Sequence, residues 1–196
     1  MQATSTHASA MVLNSLPMPR FVSLVLVALT LVVLGACSTP PPPHWDDGGA
    51  VLALAPARWE RAKQRSIELL EDGTVLEGKK TIFVIDRAGR VVDSHRDPLA
   101  ILLPDGYLAG NDDTALGRVG VTNAAPPGST QAWLAVMPNG DVAFFDSDGD
   151  RKYDGGWSGC EGPVHRTCTL ITHLVALRTY RSDRGPRVGI GIGFVF

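Results

Sequence analysis

The chain has 196 residues, with 18 Lys and Arg residues against 20 Asp and Glu residues, and a formal net charge of −2 at pH 7. This length suits one domain with a single core, because most domains hold about 100–200 residues. The mild acidic balance lacks the clustered basic residues of nucleic-acid-binding domains, so we expect no DNA or RNA partner.

An almost wholly apolar run covers residues 21–34, and it follows Arg20 with no acidic residue before it. About 14 apolar residues are too few for the roughly 20 that a membrane-spanning helix needs, which favours a signal peptide. The translation start stays open between Met1, Met11 and Met18, since a start at Met18 places Arg20 directly before the apolar run.

The apolar run ends in Leu34-Gly35-Ala36-Cys37, which resembles the lipobox of bacterial lipoproteins. The resemblance implies that signal peptidase cuts before Cys37 and that this residue carries a diacylglyceryl anchor. Ser38 follows, whereas in Gram-negative lipoproteins an Asp at this place is the usual inner-membrane retention signal. The resemblance therefore implies an outer-membrane location, with the leaflet left open.

The sequence then divides into three parts: a signal peptide over 1–36, a lipidated cysteine with a Pro-rich tether over 37–50, and one globular domain over 51–196. The tether contains four consecutive prolines, which favour an extended polyproline helix. Twelve such residues would hold the domain roughly 35 Å from the bilayer.

Two segments at opposite ends of the domain are predicted from their apolar patterns. A helix is predicted from about Pro56 to Glu71, because Pro56 suits a first turn, Gly73 suits the stop and the apolar residues between them follow an amphipathic pattern. Residues 167–180 contain no breaker and are rich in Thr, Val, Ile and Leu, so a long strand is predicted there.

The middle of the domain shows the pattern of antiparallel strands. One hairpin is predicted between residues 81–85 and 90–94, and a second between 131–137 and 141–145, where Asn139-Gly140 is a strong turn signal. Shorter strands are predicted at 99–103, 107–109 and 118–122, with a break over 123–130 and a terminal strand over 188–196. The predicted fold is mainly β (α+β), with one N-terminal helix packed on an antiparallel sheet that forms a sandwich or a partly closed barrel.

Cys160 and Cys168 remain as an even pair once Cys37 takes the lipid, and an oxidising envelope favours a disulfide between them. The alternative is a zinc site in which His165 and His173 join the two cysteines. Without that metal, His95, His165 and His173 are interpreted as surface or packing residues.

Residues 146–154 read Asp-Ser-Asp-Gly-Asp-Arg-Lys-Tyr-Asp, which resembles the calcium loops of EF-hand and dockerin proteins. Calcium prefers six to eight oxygen ligands, and alternate positions of a tight loop can converge on one ion. The predicted ligands are the carboxylates of Asp146, Asp148, Asp150 and Asp154 and the carbonyl of Lys152. The alternative interpretation is a solvated acidic turn.

These observations predict a lipid-anchored cell-envelope protein with a binding or structural role, and the resemblance to calcium loops implies that calcium stabilises it. Its partners would be the membrane, through the anchor, and an envelope protein or a glycan. The alternative is an envelope hydrolase in which Asp146, Asp148, Asp150 and Asp154 hold a catalytic ion. The chain shows no G-x-S-x-G, H-E-x-x-H or reactive-cysteine pattern, so an enzyme is the less favoured interpretation.

Overall fold

The computed structural model describes residues 40–146 and 148–183, without the side chains of residues 180–183. Two short 3₁₀ helices, Asn111–Asp113 and Gly162–Val164, and one α-helix, α1 (His165–Asp183), occur in these ranges. The strands in the same ranges are β1 (Ala57–Glu60), β2 (Ile67–Leu69), β3 (Thr74–Glu77), β4 (Lys80–Ile85), β5 (Arg90–Asp93), β6 (Pro98–Leu102), β7 (Tyr107–Gly110), β8 (Ala115–Val119), β9 (Asn123–Ala125), β10 (Leu134–Val136), β11 (Asp141–Phe145) and β12 (Arg151–Ser158).

The strands form one closed antiparallel barrel, in which each strand pairs with the next along the chain and β1 pairs with β12. The closing pair sets Trp59 opposite Trp157, and their rings stack with centroids 5.9 Å apart. Inward residues alternate with outward ones, as in β1, where Ala57 and Trp59 are buried and Arg58 and Glu60 are exposed. The prediction of a mainly β fold is therefore confirmed, and closure leaves no unpaired edge among the twelve described strands.

The barrel has two different ends. One end, which we call the turn end, carries four tight turns whose glycines have positive φ: Gly73 at 85°, Gly89 at 74°, Gly106 at 88° and Gly140 at 90°. Each of these glycines accepts a backbone hydrogen bond from the end of a later strand, as Gly140 does from Trp157 N–H at 2.9 Å. The opposite end, the loop end, carries the connections over 61–66, 94–97, 111–114 and 126–133, and also residues 148–150.

Helix α1 runs through the interior of the barrel. Every side chain from Thr167 to Leu177 is buried, and a helix buried on all sides must be enclosed. Its partners lie on separated parts of the wall, since Thr172 contacts Trp157 of β12 and His173 contacts Leu116 of β8. Eight strands already fill their interior with side chains, so the wider twelve-stranded barrel has room for a helix.

The segment before β1 closes the turn end. Gly49 N–H and Leu52 N–H donate to the carbonyls of Ala88 and Arg87 in the β4–β5 turn, and Ala50 N–H donates to Leu102 O of β6. Ala50 and Leu52 are each 2% exposed, so this segment adds to the core as well as covering it. Helix α1 begins at this end, and Thr167 Oγ1 donates to Ala53 O at 2.7 Å.

The predicted N-terminal helix over Pro56–Glu71 is wrong, because this stretch forms β1 and β2. The residues that face the core are Ala57, Trp59, Ile67 and Leu69, with a period of two inside each strand. The sequence also fits a helix because the connection between the strands, residues 61–66, carries charges at spacings that suit an exposed helix face.

The predicted strand over 167–180 is also wrong, because these residues lie in α1. Thr172 and Thr179 each donate a hydroxyl hydrogen bond to the carbonyl four residues earlier, which satisfies the polar group inside a helix. The predicted strand over 188–196 lies outside the described residues.

The predicted hairpins are confirmed, since β4 pairs with β5 and β10 pairs with β11. The short strands predicted at 99–103 and 107–109 correspond to β6 and β7, while the third, at 118–122, lies mostly after β8. The predicted break over 123–130 begins with β9, which was missed.

Candidate functional site: the two ends of the barrel

The interior polar groups of α1 are matched to the barrel wall. His173 is fully buried, and its Nδ1 lies 3.0 Å from Trp133 Nε1 while its Nε2 lies 2.8 Å from Leu116 O. An indole N–H can only donate, so Nδ1 accepts from Trp133 and Nε2 carries the proton that it donates to Leu116. Burial lowers the pKa of His173 to about 4, although the bond to the Leu116 carbonyl acts in the opposite direction. His173 is therefore neutral in the folded protein near pH 7.

Three more buried polar residues of α1 find acceptors or donors in the wall. Thr169 Oγ1 donates to Val121 O at 2.7 Å, Trp157 Nε1 donates to Thr172 Oγ1 at 2.9 Å, and His165 Nε2 lies 2.8 Å from Val136 O. Buried polar groups cost free energy unless they are hydrogen-bonded, so these contacts fix the depth and rotation of the helix. The interpretation of His165 and His173 as packing residues agrees with this placement, and His95 lies on the exposed β5–β6 connection.

Cys160 and Cys168 lie within disulfide-bonding distance at the turn end, with their Cα atoms 6.2 Å apart. A bond between them would tie the end of β12 to the first turn of α1. The ring nitrogens of His165 and His173 are directed at carbonyl and indole groups of the wall, so the predicted zinc set is not assembled.

The predicted calcium ligands are spread over a turn and a strand. Asp146 Oδ1 accepts from the backbone N–H groups of Asp148 and Asp150, while Lys152 lies in β12 with its Nζ 3.6 Å from Asp146 Oδ2. Asp154 Oδ1 accepts from Ala62 N–H on the other side of β12. No group of three or more His, Cys, Asp or Glu side chains suited to a metal ion occurs among residues 40–146 and 148–183.

Asp154 instead belongs to a charged cluster at the loop end. The side chain of Arg61 is only 4% exposed, and its guanidinium lies 3.4 Å from Asp154 Oδ2 and 3.6 Å from Glu77 Oε1. It also packs on the ring of Trp59 at 4.8 Å, and Arg178 of α1 lies 3.8 Å from the second oxygen of Glu77. The cluster thus links β1, β3 and β12 to the later part of the helix. Sequence spacing could not have found it, because its members are distant in the chain.

The exposed apolar residues are divided unequally between the two ends. Four large hydrophobic side chains are exposed in the described part of the chain: Val51 at 88%, Leu70 at 38%, Val121 at 57% and Tyr153 at 57%. Val51 lies in the segment that covers the turn end, Leu70 opens the β2–β3 turn and Val121 lies in the β8–β9 turn, so all three are at the turn end. Tyr153 lies in β12 towards the loop end, where it contacts Arg151.

The predicted lipidation site, Cys37, lies outside the described residues. The described residues contain no helix that is both long and apolar enough to cross a membrane. No protein-family model matches this chain, and comparison with curated protein sequences and with solved structures finds no significant match.

Proposed function

We propose that this protein is a lipid-anchored component of the bacterial cell envelope with a binding or structural role. The observation that carries the proposal is Leu34-Gly35-Ala36-Cys37 after an apolar run, followed by a short segment that joins a single barrel. Acyl chains on Cys37 would place the barrel at a membrane surface, and Ser38 favours sorting to the outer membrane.

Wall side chains and α1 fill the interior of the barrel, and this packing supports a role that depends on the outer surface. The core combines wall residues and α1 in one cluster, and His165, Thr167, Thr169, Thr172 and His173 each have a hydrogen-bond partner. Twelve short strands around a helix form a stiff body, because closely packed interiors resist deformation. A partner would therefore meet a preformed surface, which lowers the entropy cost of binding.

The loop end offers such a surface. Arg151 donates to Tyr153 Oη at 3.0 Å, and its guanidinium lies 5.7 Å from the centre of the Phe145 ring. Tyr and Arg are enriched where proteins bind one another, and an exposed aromatic ring also suits the apolar face of a sugar. An envelope protein or a glycan is therefore the proposed partner of this end.

The anchor is tested by expressing the full chain in a Gram-negative host with an alkyne-tagged palmitate. The wild type should incorporate the label and mature to a shorter form, while Cys37→Ala should remain an unlabelled precursor. Ser38→Ala is the matched control, since it changes the neighbouring residue and keeps the thiol. Label in Cys37→Ala, or none in the wild type, would refute the proposal.

Sorting is tested in the same host by separating inner and outer membranes on a density gradient. The wild type should sediment with the outer membrane, and Ser38→Asp should shift to the inner membrane. Recovery of the wild type with the inner membrane alone would contradict the expected location.

A further inference from the structure

We infer that the turn end of the barrel lies against the bilayer that holds the anchor, with Val51, Leu70 and Val121 in contact with the lipid surface. This inference rests on the proposed lipid anchor at Cys37. It adds an orientation and a contact surface, which the anchor alone does not define, because a long tether would let the barrel rotate freely.

The first argument is the place where the tether joins the barrel. Gly48 N–H donates to His44 O, Arg90 Nη1 donates to Trp45 O, and Gly49 N–H donates to Ala88 O in the β4–β5 turn. The predicted tether over 37–50 is thus held on the barrel from Trp45 onwards, and its described part contains a turn at 43–47. Pro42 is also buried, so only the residues from Cys37 to Pro41 remain to reach the membrane.

The second argument is length. Five residues in a polyproline conformation reach roughly 15 Å at most. Along α1, His165 at the turn end and Arg178 near the loop end are thirteen positions apart, which corresponds to roughly 20 Å at the rise of an α-helix. A barrel turned with its loop end to the membrane would need a longer tether than this to pass along its side. The turn end reaches the surface without this cost.

The third argument is the unequal distribution of exposed apolar side chains. Single exposed hydrophobic residues are normal, but three of the four in the described chain lie at the end where the tether joins. Val51 lies only six positions after Trp45, so a tether that leads into a bilayer would bring Val51 close to the same surface. Tyr153, the fourth, lies towards the other end.

The charge of the turn end does not by itself hold the barrel at a membrane. The exposed charged residues of this end are mostly acidic: Asp46, Asp47, Glu71, Asp72, Asp105 and Glu161 against Arg87 and Arg118. An acidic surface is not attracted to anionic lipids, so electrostatics alone would not dock the domain. Docking therefore requires the acyl chains, and the same domain without them should stay in solution.

The orientation can be measured by fluorescence quenching in reconstituted vesicles. The full-length lipoprotein would carry one new cysteine, Val51→Cys, Val121→Cys or Tyr153→Cys, labelled with an environment-sensitive dye. The vesicles would contain phosphatidylethanolamine, phosphatidylcholine and a lipid with a quencher near its headgroup. We expect quenching at positions 51 and 121 to be at least threefold greater than at position 153.

Flotation of the same vesicles distinguishes a wrong orientation of the barrel from the absence of a lipid anchor. Protein that floats but is quenched equally at all three positions, or more at 153, would overturn the orientation and leave the anchor intact. Protein that does not float would overturn the anchor and the inference together. The unlipidated mature form of each labelled variant, with Cys37→Ala and without residues 1–36, should show no quenching at any position, and quenching there would show docking without the lipid, against the inference.

A pair of substitutions controls for an effect of the dye on the measured quenching. Val51→Asp combined with Val121→Asp puts charge on the contact surface without altering Cys37 or the core. In Leu70→Cys labelled protein, this pair should reduce quenching at least twofold while flotation is unchanged. Unchanged quenching would mean that these side chains do not contact lipid.

Discussion

Trp133 donates its indole N–H to Nδ1 of His173 across 3.0 Å, which joins the β9–β10 connection to a residue in the centre of the barrel. This bond requires an unprotonated Nδ1, because a protonated ring would place two donors against each other. The helix is therefore held in the barrel partly by a histidine that must be neutral.

The first prediction concerns the pH dependence of stability. The pKa of His173 is about 4 in the folded protein against 6.5 for the ordinary side chain, so the unfolded chain binds more protons between these values. The stabilisation is complete above pH 6.5 and is lost as the pH falls towards 4. Between pH 7.5 and pH 5 the free energy of unfolding should fall by roughly 2 kcal/mol.

Urea unfolding at both pH values tests this prediction. His173→Gln removes the titrating group and should lose most of the difference, although it begins from a lower stability. His95→Gln, at an exposed site, should keep the difference. Equal pH dependence in the wild type and His173→Gln would show that another group is responsible.

The second prediction concerns the turn end. A Cβ at Gly140 would lie 2.2 Å from Trp157 O, whereas a Cβ at Gly149 would meet nothing within 4 Å. Both glycines have a similar positive φ, 90° and 84°, so the backbone penalty for Ala is about 1 to 2 kcal/mol at each. Gly140→Ala should cost about 1 to 3 kcal/mol more than Gly149→Ala, because β12 must move away. Equal melting temperatures for the two variants would contradict the close approach of β12.

Much of the wall could be predicted from the sequence because its turns are local. Two hairpins are defined by the backbone conformations that their turn residues allow, at Asn139-Gly140 and at Asp86 to Gly89. The structure contains both of these predicted hairpins. Gly73, Gly89 and Gly106 also recur at spacings of 16 and 17 residues, which marks one hairpin per repeat and is a further signal for the wall.

The helix and the closure could not be predicted in the same way. A helix buried on every side has no apolar stripe, so the sequence of α1 shows only a β-branched composition, which predicts a strand. Closure depends on β1 pairing with β12, where Arg58 meets Ser158 across 100 positions of sequence, and no local pattern encodes that contact.

The third prediction concerns Cys160 and Cys168. Oxidised protein should gain two daltons in the linked peptide after reduction, as measured by mass spectrometry. A loop of about nine residues corresponds to roughly 2.5 kcal/mol of stabilisation in the chain-entropy model. Cys160→Ala with Cys168→Ala should therefore melt at a lower temperature than the oxidised wild type and close to the reduced one. Two free thiols in protein isolated from the envelope would refute the bond.

The fourth prediction is that calcium binds weakly at the turn formed by Asp146, Asp148 and Asp150. Asp154 is engaged by Arg61 and Ala62, so these three carboxylates would act without it, and the Kd should be about 10⁻³ M or weaker. At 10 mM calcium this corresponds to about 1.4 kcal/mol of stabilisation. The matched variants are Asp148→Asn with Asp150→Asn, which should lose the effect, and Asp154→Asn, which should keep it. Equal melting temperatures of the wild type in calcium and in chelator would leave an ordinary acidic turn.

The central claim is that Cys37 becomes the lipidated first residue of a mature protein held close to the membrane. Its most direct test is mass spectrometry of the amino-terminal peptide from protein purified out of membranes. The account predicts a peptide that begins at Cys37 and carries a diacylglyceryl group, with or without a further acyl chain. A mature amino terminus at another residue, or an unmodified Cys37, would contradict it.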